Sequence, residues 1–102
     1  MYLIELFLPL ADNSGTPFGR AEFEAVELEL TKRFGGVTAY PRSPASGLWK
    51  ASSARTERDE LVVLEVMAES LDVDWWRNYR QRLERQFRQD ELLIRAQHIE
   101  VL

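Results

Sequence analysis

The chain contains no cysteine, only one histidine, His98, and no extended apolar run. Without cysteine there are no disulfides, no thiol catalysis and no thiolate metal site, and the redox compartment leaves no mark on the composition. A lone histidine with no His/Asp/Glu cluster at ligand spacing makes a metal site unexpected, and a histidine at a strand end is ordinarily structural. No apolar stretch approaches the ~20 residues of a membrane span. The N-terminal "MYLIELFLPLADNSG" has no basic n-region and carries Glu5 in its middle, the reverse of a signal peptide, so a cytoplasmic protein is expected. Positive charge is also scarce. Thirteen Lys and Arg stand against 17 Asp and Glu, and a net charge of -4 disfavours nucleic acid and anionic membranes as partners. There is no Gly-x-Gly-x-x-Gly, Walker loop or nucleophile elbow, and no cofactor is expected.

What is present is an ordinary globular composition, 45% hydrophobic and 29% charged over 102 residues, enough for a single domain spanning 1–102 with one core. Tyr2 to Leu10 reads as a strand ended by Pro9 and "ADNSG". Thr16 and Pro17 give a helix start signal, with Thr16 as N-cap, although Gly19 weakens the first turn and moves the start toward Arg20. Phe23, Val26, Leu30 and Phe34 then recur as one helical stripe, and Gly35 and Gly36 supply the positive φ that ends it. "VTAY" is a short strand cut by Pro41 and Pro44, which places it on a sheet edge, with "GLWKA" resuming it. "ELVVLEVMAES" is a strong strand. A second helix follows, N-capped by Asp72 or Asp74, with the stripe Trp76, Tyr79, Leu83 and Phe87. "LLIRAQHIEVL" is the last strand.

The order β-α-β-β-α-β is that of the split-βαβ, ferredoxin-like arrangement, an α+β fold with a four-stranded antiparallel sheet in the order 4-1-3-2 and both helices on one face. The first and third strands are expected in the centre, adjacent and parallel.

Alternation along the strands separates two faces. Ile4, Leu6 and Leu8, with Val62, Leu64 and Val66, are aliphatic and belong under the helices. The opposite face collects Leu3, Glu5 and Phe7, then Val63, Glu65 and Met67, and beside them Arg95 and Gln97. A face this apolar marks an interaction surface. Mid-strand carboxylates within it need partners once covered, because an unpaired buried charge is costly. Three readings follow: a homodimer interface whose Glu–Arg pairs set register, a pocket where Glu5 or Glu65 acts as general base on a small molecule, or an exposed face with no role.

The stretch "RFGGVTAYPRSPASGLWK" offers a second candidate. Tyr40, Arg42 and Trp49 there, with Arg95, could hold a small anionic or aromatic ligand, and the same stretch also suits a proline-protected edge. The second helix carries Arg77, Arg80, Arg82, Arg85 and Arg88 and the first carries Glu22, Glu24, Glu27 and Glu29, so the two can pair within or between protomers. Trp75 cannot share the core stripe with Trp76, and either packs at a sheet edge or lines a cleft.

In element order over the whole chain, the sequence resembles the dimeric ferredoxin-like α+β barrel superfamily, whose small members include cofactor-independent monooxygenases and stress-responsive barrel proteins. The resemblance implies a homodimer with facing sheets, and in some members catalysis by Trp, Tyr, Asn, Arg or His in a cleft between sheet and helices. It carries over no functional residue. The expected function is a small homodimeric module that binds a small molecule, the alternative being a cofactor-independent monooxygenase-like or isomerase-like enzyme with a sheet-face carboxylate as base.

Overall fold

A computed structural model describes residues 1–42 and 61–102. The elements are β1 (Tyr2–Pro9), α1 (Arg20–Phe34), β2 (Thr38–Arg42), β3 (Leu61–Ala68), α2 (Val73–Gln86) and β4 (Leu93–His98). They form one four-stranded sheet in the order β2-β3-β1-β4, the expected order read from the other edge. All three pairings are antiparallel, which corrects the parallel central pair. The cause is connectivity. A helical crossover returns the chain so that β2 runs with β1, and β3, paired antiparallel to β2, must then oppose both. Pro41 lies in β2, on the sheet edge where proline is tolerated. The "GLWKA" continuation lies outside the described residues.

The core is one cluster between the sheet and the helices. Ile4, Leu6 and Leu8 from β1 and Leu64 and Val66 from β3 meet Val26 and Leu30 of α1 and Trp76, Tyr79 and Leu83 of α2. These are the aliphatic strand faces and the two helical stripes read from the sequence. A fully buried Leu or Ile contributes about 1.5–3 kcal/mol, so this layer supplies most of the driving force.

Helix α1 begins at Arg20 with Gly19 as N-cap and no side-chain cap, so Thr16 does not cap it. The residues before it are committed to another structure. Asp12 Oδ1 accepts from the Ser14 and Thr16 backbone N–H groups at 2.9 Å each, Ala11 and Pro17 form an isolated bridge, and Phe18 N–H donates to Leu10. The Thr16 backbone N–H foremost, then that of Ser14 and the Arg88 charge, hold the Asp12 carboxyl below its ordinary value. This tight loop delivers Phe18 into the core, edge-on to Phe87 at 5.0 Å. At the other end Gly35 has φ 87 and its N–H caps Thr31. Gly36 has no positive φ, so one glycine does the work that two were expected to share. Helix α2 is capped by Asp72, whose carboxylate accepts from Trp75 N–H at 3.1 Å.

The acidic and basic helices pair within the chain. Glu29 Oε1 on α1 accepts from Tyr79 Oη at 2.9 Å and from Arg82 Nη2 at 2.6 Å on α2. His98 packs edge-on against Tyr2 at 4.2 Å, a structural contact. Among the described residues no helix is long and apolar enough to cross a membrane, and no three His, Cys, Asp or Glu side chains stand together as a metal site would require.

Candidate functional site

Among the described residues two regions stand out once the core is closed. The first is the sheet face away from the helices, which strand register resolves into rows. Thr38, Glu65, Glu5 and Arg95 stand side by side across all four strands. On one side the row is Tyr40, Val63, Phe7 and Leu93; on the other it is Met67, Leu3 and Gln97. A polar row is thus set between two largely apolar ones.

Within the polar row Arg95 Nε donates to Glu5 Oε1 at 2.7 Å, and its guanidinium lies 4.9 Å from the centre of the Phe7 ring. Glu5 is mostly covered, with 13% of its side chain accessible against 58% for Arg95. The pair links the central strand to the edge strand. It leaves Glu5 next to Glu65, its directly opposed partner on β3. The candidates Glu5, Glu65 and Arg95 are therefore brought together, and Leu3, Phe7, Met67 and Gln97 flank them as alternation requires. Tyr40, Met67 and Leu93 are the exposed large hydrophobic residues of this face, each about half exposed. Val63 is on the same face but buried, in register between Tyr40 and Phe7.

Of the ligand candidates, Tyr40 joins this face, Arg42 stands opposite Leu61 at the end of β2, and Trp49 lies outside the described residues. Sequence reasoning missed Thr38 and Leu93. Both complete rows already identified, and stepping back two residues from Arg95 along the last strand reaches Leu93.

The second region is an open cleft of about 510 Å³ where the end of β3, the end of α1 and the start of α2 meet. Its walls include Arg33, Phe34, Met67, Glu69, Asp72 and Trp75. Local sequence explains each position. The Gly35 cap ends α1 with Arg33 and Phe34 on its last turn, and the Asp72 cap starts α2 with Trp75 on its first. Trp75 is stacked on Tyr79 at 4.8 Å and carries the Arg33 guanidinium 4.2 Å from its ring centre. Phe34 stacks on Trp76 at 5.3 Å. The surplus tryptophan of the pair thus lines a cleft, the second of the two uses open to it. Arg33 and Glu69 had no signal beyond their neighbourhood to helix ends. The volume is within the ~300–1,000 Å³ of small-molecule sites.

No protein-family model matches this chain, and no curated protein matches it. Among solved structures it is similar in fold to a phage SAM lyase in complex with S-methyl-5'-thioadenosine, with a TM-score of 0.57 and 14% identity over 95% of this chain and 80% of that one. At that identity the likeness is one of fold. It agrees with the α+β, ferredoxin-like architecture seen directly in the sheet order.

Proposed function

We propose that the protein is a homodimeric small-molecule-binding module: the open sheet face closes on a second copy, and the cleft beside Trp75 takes the ligand. The observation that carries this reading is the separation of two surfaces on one small sheet. The open face offers Tyr40, Met67 and Leu93 around an ion pair, a composition suited to a partner surface. The cleft offers aromatic edges with a cation and carboxylates, a composition suited to a small ligand. Met67 stands at the border of both. The phage SAM lyase of similar fold has a nucleoside thioether bound, which supports a small-molecule role for the fold and supplies a first probe.

The test is a titration with S-methyl-5'-thioadenosine, read by tryptophan fluorescence and by melting temperature. The reading predicts a saturable fluorescence change with a parallel rise in melting temperature. A flat response in both, to this probe and to every other small molecule titrated beside it up to millimolar concentration, would contradict it.

A second reading is catalytic, and one observation favours it: Glu5 and Glu65 occupy directly opposed positions on the two central strands. There Glu5 or Glu65 serves as general base, and Arg95, which donates to Glu5, stands where it can also hold a substrate anion. In that case Glu65→Gln keeps the fold and probe binding but stops conversion of the bound probe, followed by chromatography. Conversion at the wild-type rate in the variant would remove Glu65 from the chemistry.

A further inference from the structure

The charges lining the cleft narrow the class of ligand. Arg33 lies against the Trp75 ring, and among the described residues its one charged contact is a long one, 4.0 Å from Asp72 Oδ2, with no hydrogen bond formed. Its planar fork of donors therefore remains available for a carboxylate. Asp72 is less available, because its other oxygen caps α2. Glu69, by contrast, has neither a hydrogen bond nor an ion pair among the described residues. The cleft thus presents one guanidinium and one carboxylate with unused capacity, beside an apolar wall of Phe34, Trp75 and Met67.

A simple anion at Arg33 would face the repulsion of Glu69 and Asp72. A simple cation at Glu69 would face Arg33. A molecule carrying both charges on one short head satisfies each without leaving either unpaired. Its apolar portion then covers the wall, where sulfur and aromatic groups pack well against aromatic edges. We propose that the cleft binds a free α-amino acid with an apolar side chain of the methionine or phenylalanine type, its carboxylate on Arg33 and its ammonium on Glu69. This rests on the reading of the cleft as the ligand site and adds the identity of the head group.

The experiment titrates the full chain with L-methionine and L-phenylalanine, with phenethylamine and phenylpropionate as analogues lacking the carboxylate or the ammonium. S-methyl-5'-thioadenosine is run in parallel, and heat and tryptophan fluorescence are recorded. Saturable binding of the amino acids is expected, about tenfold or more weaker for either analogue, because each leaves one charged group unpaired. Arg33→Gln and Glu69→Gln, at exposed positions that leave the core intact, should each weaken it about tenfold. Equal binding of phenylpropionate, or affinity unchanged by Glu69→Gln, overturns the zwitterion assignment. Binding of S-methyl-5'-thioadenosine with no response to the amino acids overturns it while the small-molecule reading stands. Silence from all probes overturns both.

Discussion

Glu29 receives two donors from the opposite helix on a single oxygen, the Tyr79 hydroxyl and the Arg82 guanidinium. The first of these is the more consequential because Tyr79 is buried. Burial, reinforced by the hydrogen bond to Glu29 and its negative charge, raises the phenol above its ordinary value of 10.0. The folded state therefore holds the Tyr79 proton more tightly than the unfolded chain does. The stability linked to it is complete below pH 10 and is lost as pH rises from there toward the raised folded value. Tyr79→Phe should cost about 1 kcal/mol at neutral pH, from the lost hydrogen bond. It should also flatten the alkaline decline in urea-melt stability above pH 10; a decline as steep as that of wild type would place its origin elsewhere. The sequence showed Tyr79 as a core position on a helical stripe. Its partner was hidden, because a residue fifty positions away is reached only through the packing angle of two helices.

Elements were legible where a local rule had no competitor. The α2 start follows from Asp72, and its stripe from the spacing of Trp76, Tyr79, Leu83 and Phe87, all buried. The α1 start was harder to read, since "TP" is a good helix signal in isolation. Here Asp12 recruits the Ser14 and Thr16 backbone into its own turn, and a tertiary contact, Phe18 on Phe87, rewards that choice. At the other end of α1, two glycines looked equivalent and are not. Gly35 is left-handed, and Gly36 is not, with open space around both. Gly35→Ala is therefore expected to destabilise by about 1 kcal/mol through backbone strain alone. Gly36→Ala is expected to stay within about 0.5 kcal/mol of wild type or to gain slightly, since it removes freedom from the unfolded chain. Thermal melts of the pair check this, and equal losses would show that the cap depends on both.

At the scale of the molecule, element order and alternation together were enough for the fold, because only a few sheet topologies accept β-α-β-β-α-β with a proline-marked edge. The same alternation placed Glu5, Glu65 and Arg95 in one row. The cleft was much less legible. It forms where three element ends meet, and no periodicity within any one of them points to it. Strand direction was misread for a related reason: it depends on how the whole chain winds. The open face carries the assembly claim. Glu5→Gln removes the countercharge of Arg95, a cation that the proposed interface desolvates. The dimer should then weaken by about 2 kcal/mol, roughly thirtyfold in dissociation constant. Solution mass by light scattering, with Glu5→Gln alongside, tests directly whether the sheet face pairs with a second copy. A wild-type mass twice the 11.9 kDa of one chain is expected, with dissociation of the variant at concentrations where wild type holds. A wild-type mass of a single chain would contradict it, because the open sheet face would then have no second copy to close on.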